Sequence, residues 1–214
     1  MPEPNPSIRV AFAATGVANL ASIMAAFRRA GAEPYLSPDP VDLAGAAFAV
    51  VPGVGSFGSA MEALIESGMD EAIRDRITRG LPTLGVCAGM QVFFDASEES
   101  PRAPGLGIVP GELRRFPSSL PVPQLGWNRV APRSDSTGRG LVREGWAYFA
   151  NSYRLAEPPP GFAASTAEYG EGFVAAAERP GLLLCQFHPE LSGPWGLGLI
   201  GRWLEAGKSK GGKA

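Results

Sequence analysis

Histidine is almost absent: the 214 residues contain one, His188. Cysteine is nearly as scarce, with two, Cys87 and Cys185, and no C-x-x-C pair. These three side chains fall short of the four Cys or His ligands of a structural zinc site. Two cysteines also make no disulfide framework. No apolar run approaches the roughly 20 residues that cross a bilayer. The opening MPEPNPSIRV lacks the apolar stretch of a secretory signal. Basic runs are missing apart from the lysines near the end, and the formal net charge is −2. That balance speaks against nucleic acid as a main partner. Together these absences lead us to expect a cytoplasmic protein in a reducing compartment, with no membrane contact, no metal and no organic cofactor.

The apolar share, 45%, is enough for a full core, and the length fits one large domain. We read residues 1–206 as that domain and 207–214, GKSKGGKA, as a disordered tail, because it offers no large apolar side chain.

Residues 8–13 form a short apolar run that reads as a buried strand. Helical spacing follows over 20–30, with Gly31 as a stop. Strands are expected at 33–36 and 48–51, the latter ended by Pro52-Gly53-Val54-Gly55. Helices are expected at 58–67 and 69–79, a strand at 83–86 running into Cys87, and a helix over 88–94. This alternation predicts an α/β fold: a mostly parallel central sheet with helices on both faces. Ligands of such sheets sit beyond the carboxyl ends of the strands, where Pro52-Gly53-Val54-Gly55 and Cys87 both fall.

The second half changes character. Glycine and proline are frequent over 100–160, and strand-like pieces at 112–116, 127–130 and 147–150 predict an antiparallel extension of the sheet. A hairpin is expected around Gly170-Glu171-Gly172. A strongly apolar strand over 182–187 ends at His188, and a helix over 197–204 follows.

Gly85-x-Cys87-x-Gly89, between an expected strand and an expected helix, is the cysteine form of a nucleophile elbow. The tight turn strains the nucleophile's backbone, and the flanking glycines allow close strand–helix contact. A helix N-terminus and a neighbouring imidazolium both stabilise a thiolate. The backbone N–H of Ala88 is placed to meet a developing oxyanion. Taken alone, a buried cysteine is more often a small core residue.

Pro189 biases His188 toward extended backbone. Residues two apart on an extended segment share a side, so Glu190 can reach one ring nitrogen of His188 and leave the other for Cys87. Alone, His-Pro-Glu reads more simply as a satisfied histidine at a strand end. Beside an elbow cysteine it reads as nucleophile, base and orienting acid: Cys87, His188 and Glu190. Cys185, three residues before His188, is turned to the opposite face by strand alternation and reads as a core thiol.

Gly85-Val86-Cys87-Ala88-Gly89-Met90-Gln91 with Gln186-Phe187-His188-Pro189-Glu190 resembles the class I, triad-type glutamine amidotransferase family, whose fold is flavodoxin-like. Further stretches narrow the resemblance. They are 52–61 (PGVGSFGSAM), Ser97-Glu98-Glu99, Gly105-Leu106-Gly107, Gly126-Trp127-Asn128, 148–153 (YFANSY) and Tyr169-Gly170. These are similar to the branch whose glutaminases feed ammonia to a TIM-barrel cyclase in histidine biosynthesis. That cyclase makes imidazole glycerol phosphate and an aminoimidazole carboxamide ribonucleotide, and the resemblance implies a heterodimer with it.

The resemblance implies that Cys87 attacks the side-chain amide of glutamine, giving a glutamyl thioester and then glutamate. It implies oxyanion donors around Val54, Gly55 and Ala88, with a peptide flip in the glycine turn. Gln91 and Glu99 would hold the substrate, Glu99 at its α-ammonium, with the backbone around Ser152 and Tyr153 at its α-carboxylate. Asn19, Trp127 and Tyr148 would lie at the partner interface or gate. Read alone, Gln91 is a helix residue, Glu99 a surface acid, and the two aromatics core side chains.

The chain departs from the family pattern at four places. Ala88 stands where leucine is frequent, and Thr15-Gly16-Val17-Ala18-Asn19 keeps one glycine and the asparagine of its loop. Gln124-Leu125 replaces His-Met, and Asn151 replaces the histidine before Ser-Tyr. Rival readings are a glutaminase of another amidotransfer pathway, a non-catalytic regulatory relative, and a free-standing cysteine hydrolase. The intact Cys87, His188 and Glu190 argue against the regulatory relative.

Overall fold

A computed structural model describes residues 8–14, 19–53, 55–134 and 140–211. The first half runs β1 (Ile8–Ala13), α1 (Leu20–Arg29), β2 (Ala32–Ser37), α2 (Pro40–Gly45), β3 (Phe48–Gly53), α3 (Phe57–Glu66), α4 (Met69–Thr78), β4 (Thr83–Cys87) and α5 (Ala88–Gln91). The second runs β5 (Ala96–Ser97), β6 (Glu112–Arg115), β7 (Gln124–Pro132), β8 (Gly145–Asn151), β9 (Tyr153–Leu155), β10 (Ala163–Tyr169), β11 (Glu171–Arg179) and β12 (Leu182–Cys185). A 3-10 turn at Pro189–Leu191 and α6 (Gly193–Gly211) follow.

Nine strands form one sheet in the order β2-β1-β3-β4-β12-β11-β10-β7-β8. Neighbours from β2 through β12 are parallel, and those from β12 through β8 are antiparallel. The α/β reading with an antiparallel extension therefore holds, and β12 is the seam between the two regimes. β3, β4 and β12 are buried at every residue, as strands covered on both faces must be.

Alternation sends Val10, Phe12 and Val50 to one face, where Phe27 of α1 and Trp203 of α6 pack on them. It sends Ala11, Ala49 and Val51 to the other, against Phe57 and Leu64 of α3 and Ile73 of α4. A small sheet, β5-β6-β9, forms separately, and its Leu113 and Leu155 join the same core cluster as Val174 of β11.

Several sequence expectations need correcting. The helix expected over 88–94 lasts only four residues, Ala88–Gln91. Beyond it the carbonyls of Val92, Phe93 and Phe94 accept N–H groups from Leu106, Ile108, Val109 and Gly107, so they cannot continue a helical ladder. The short helix α2 was not anticipated. Its signals are an Asp39 cap, whose carboxylate accepts from the Val41 N–H at 2.9 Å, and Pro40 at the first turn. The hairpin turns tightly on Gly170 alone, φ +69°, with Tyr169 opposite Glu171.

The last helix, expected over 197–204, spans Gly193–Gly211 and so continues past residue 207. Packing holds that part of it: Gly207 is buried, and a Cβ built there would lie 2.1 Å from a ring carbon of Phe48. The missing side chain lets α6 press on β3. Gly207→Ala is expected to destabilise the fold by about 1–3 kcal/mol through overpacking. Gly201→Ala, in the same helix with nothing within 4 Å, is expected to stabilise it by about 0.5–1 kcal/mol. Urea denaturation of the two variants checks the contrast, and equal stabilities would contradict this packing account.

Candidate active site

Three parallel strand ends carry the site. β3 ends at Gly53, which pairs in register with Cys87 at the end of β4. β12 lies on the other side of β4, and its chain continues through Gln186 and Phe187 to His188.

Cys87 is the one non-glycine residue of positive φ among those described, at φ +53° and ψ −118°. Such a conformation costs of order 1–3 kcal/mol and persists only where surroundings enforce it. Here glycines enforce it. A Cβ on Gly53 would sit 2.0 Å from the Gly89 nitrogen, and one on Gly89 would sit 2.0 Å from the Val51 carbonyl oxygen. One on Gly85 would meet the Gly89 carbonyl oxygen at 2.8 Å. The turn after Cys87 is thus wedged against the backbone of β3, and the thiol is held at the sheet's carboxyl edge, only 7% exposed.

His188 is fixed by its backbone. Its N–H donates to the Tyr148 carbonyl at 2.9 Å, an isolated antiparallel bridge to β8. Ser192 clips the same place: its hydroxyl donates to the His188 carbonyl at 2.6 Å and accepts from the Tyr148 N–H at 3.0 Å. The ring Nδ1 lies 2.9 Å from Glu190 Oε1. Both side chains are at least nine-tenths buried.

The contact between His188 and Glu190 was expected from an extended segment. His188 is extended, but Pro189–Leu191 forms a 3-10 turn, and that turn brings the carboxylate back to the ring. Proline fits there because it needs no N–H at the first position of a helical turn.

Burial alone pushes the imidazole's pKa down. Hydrogen bonds to Cys87 and to Glu190, with the charge of each, overcome it and raise His188 to about 10. The sign of the linkage follows. An unfolded histidine titrates near 6.5, so this stabilisation is fully present below about pH 6.5 and is lost as pH climbs toward 10. The melting-temperature difference between the unmutated chain and His188→Gln is therefore expected to shrink steadily across that window. A difference that stays constant with pH contradicts the pairing.

Gln91, 5% exposed, donates through Nε2 to the Gln186 Oε1 at 2.9 Å and more weakly to the Tyr153 carbonyl at 3.4 Å. Asn151 Nδ2 reaches that same carbonyl at 3.1 Å. The structure therefore brings Gln91 and the Ser152-Tyr153 backbone together. Glu99 is tied elsewhere: its Oε2 accepts from the Phe57 N–H at 2.6 Å, at the start of α3, and Ser100 Oγ accepts from the Gly58 N–H. Asn19 caps α1, its side chain accepting from the Ser22 N–H. Gly55 is exposed at φ +92°, while Val54 and residues 15–18 lie outside the described residues. Ala88 opens α5 directly after the thiol.

Trp127 and Tyr148 are not core aromatics. They are cross-strand partners on β7 and β8, with rings in edge contact at 6.3 Å. The pairs Leu125–Ala150 and Arg129–Trp146 flank them on the same outward face. Leu125, Trp127 and Trp146 are 69%, 55% and 58% exposed.

Sequence reasoning assigned no role to Gln186 or Ser192. Gln186 is fully buried, and its Nε2 lies 3.9 Å from the Cys87 sulfur. A polar residue inside the apolar 182–187 run was the available signal. Cys185, fully buried, is the core thiol expected, and burial raises its pKa. Among the described residues no group of three or more His, Cys, Asp or Glu is placed to hold a metal ion, and no helix is long and apolar enough to cross a membrane.

Known proteins resemble this chain in sequence and in fold. The model of the family "Glutamine amidotransferase class-I" matches residues 22–199. The chain belongs to the class I glutamine amidotransferase family. Among class I relatives, the imidazole glycerol phosphate synthase subunit HisH of Symbiobacterium thermophilum is 40% identical, over 91% of this chain and 92% of that protein. The subunit of the same name from Herpetosiphon aurantiacus is 42% identical, over 92% and 93%. A solved structure described as a glutamine amidotransferase matches with a TM-score of 0.74 at 20% identity, over 93% of this chain and 98% of that one. At that identity it speaks for the fold alone. The branch read from the motifs is the one these HisH relatives carry, and the chain is a glutamine amidotransferase.

Proposed function

We propose that this glutamine amidotransferase is the glutaminase subunit of an imidazole glycerol phosphate synthase. In this reading it hydrolyses glutamine through Cys87, His188 and Glu190 and passes the ammonia to a TIM-barrel cyclase in histidine biosynthesis. The observation that carries the chemistry is a single buried histidine whose Nδ1 lies 2.9 Å from Glu190 Oε1 and whose pKa both Cys87 and Glu190 raise. An imidazole raised to about 10 keeps a proton at neutral pH. That proton is the one Cys87 gives up to attack.

The reaction in this reading runs in two halves. The Cys87 sulfur bonds to the amide carbon of glutamine, and the carbonyl electrons move onto oxygen. The Ala88 N–H and the glycine turn at Val54-Gly55 meet that oxyanion. The contact of Gly53 with the Ala88–Gly89 peptide supports this pairing. His188 then protonates the departing nitrogen, ammonia leaves, and a glutamyl thioester remains. Water, deprotonated by His188, cleaves the thioester to glutamate and restores the thiol. Gln91 and the Tyr153 backbone, already in contact, form one wall of the substrate pocket. Glu99 keeps one oxygen on α3 and turns the other to the α-ammonium.

The outward face of Leu125, Trp127, Trp146 and Tyr148 supports a partner. Such a cluster of exposed aromatics is characteristic of an interface centre. It adjoins the site, because Tyr148 is bridged to His188. Docking there is a direct route by which a cyclase could adjust the base, with Asn19 at the edge of the contact.

The decisive experiment is glutamate release by this chain alone, and with a cyclase subunit and its nucleotide ligand. Strong activation by the cyclase supports the reading, while full activity without it points to an independent hydrolase. Trp127→Ala is expected to weaken cyclase binding tenfold or more while leaving the melting temperature unchanged. Unaltered affinity in a titration calorimeter would put the interface elsewhere.

A further inference from the structure

Beneath the nucleophile lies a relay of two carboxamides. Gln186 follows β12 directly and is fully buried; its main-chain N–H donates to the Ala175 carbonyl at 2.9 Å. Its side chain spans from Gln91, whose Nε2 it accepts at 2.9 Å, to the Cys87 sulfur, 3.9 Å from its own Nε2. The direction of this chain is fixed at its far end. The Tyr153 carbonyl can only accept, so Gln91 must turn its amide nitrogen that way. Asn151 donates to the same oxygen. With the Gln91 nitrogen facing Gln186, the Gln186 oxygen must face Gln91, and its nitrogen is left for sulfur. A buried donor aimed at sulfur favours the anion over the neutral thiol, and opposes the Ala150 carbonyl, toward which the thiol donates at 3.8 Å.

We propose that Gln186 is a positioning residue for the nucleophile. Its amide donates toward the Cys87 sulfur, fixing where the nucleophile points, and couples that hold to Gln91, a wall of the glutamine pocket. The inference rests on Cys87 being the nucleophile. A glutamine bound against Gln91 that draws its amide away would loosen the Gln186 contact as the sulfur attacks. The same relay that steadies the resting sulfur would then release it when substrate arrives.

The test uses the full chain and a neutral alkylating agent, iodoacetamide, whose rate reports the reactive fraction of Cys87 against pH. Gln186→Met keeps the volume and removes the donor. The midpoint of its alkylation curve is expected to move upward, with a loss of about tenfold in rate on the low-pH side. Gln186→Glu keeps an acceptor for Gln91 but sets a carboxylate beside sulfur, and its midpoint should move further. In cyclase-activated turnover, kcat should fall in both, with KM for glutamine changed less.

The unmutated chain gives an independent reading should either variant fail to fold. With 15N-labelled glutamine, one buried side-chain amide should shift with the alkylation midpoint and lose that shift in Cys87→Ala. Alkylation curves that overlay the unmutated one, or an amide that ignores Cys87, overturn the proposal. Full glutaminase activity in Cys87→Ala would instead overturn the nucleophile itself, so the two failures are distinct.

Discussion

Cys87→Ala is expected to lower cyclase-activated glutamate release by at least about 10³-fold while leaving the fold intact. The magnitude follows from removing the group that bonds to glutamine in the proposed reaction, since what remains of such a site is binding and oxyanion stabilisation. The paired variant Cys87→Gly sharpens the argument. Cys87 holds φ +53°, ψ −118°, a region open to glycine and unfavourable to any residue with a Cβ. Glycine there should therefore be equally inactive yet raise stability by about 1–3 kcal/mol. Activity assays and thermal melts of the two variants check both halves. An inactive but no more stable Cys87→Gly would mean that the elbow is not strained. An active Cys87→Ala would remove Cys87 from the chemistry altogether.

The parts of this site legible in the sequence are those where one backbone constraint dictates the residue type. Gly85, Gly89 and the Pro52-Gly53 end of β3 stand out because only glycine permits the contacts they make. The apolar runs of β1, β3 and β4 stand out because both faces are covered.

What sequence does not reveal is set by distant pairing. Ser192 matters because β8 arrives to offer the Tyr148 N–H, and Gln186 because Gln91 lies opposite it across the sheet edge. Neither partner is near in sequence. Gln124 and Asn151, read as two separate departures from the family pattern, prove to be one. They face each other across β7 and β8, both buried, so a change at one is felt at the other. The end of α5 is hidden for the same reason: the groups that stop it come from residues 106–109.

Gly89→Ala is expected to be among the most damaging small substitutions at the described glycines. The added methyl would need to occupy space 2.0 Å from the Val51 carbonyl oxygen and 2.7 Å from its carbon, all of it backbone in a buried strand. No rotamer change can relieve that clash, so either β3 or the turn after Cys87 must move. Overpacking of flexible side chains costs about 1–3 kcal/mol, and backbone against backbone should reach or exceed the top of that range. Displacing the turn also carries the Ala88 N–H and the thiol away from His188. Glutamate release should therefore fall by more than about 10²-fold even in molecules that remain folded. Gly172→Ala, in β11 with nothing within 4 Å, is the control and should change neither property. Chemical denaturation with activity measured on the same samples separates the two effects. A Gly89→Ala chain of normal stability and normal turnover would show that the elbow does not depend on this contact, and that Cys87 is held in its strained conformation by some other means.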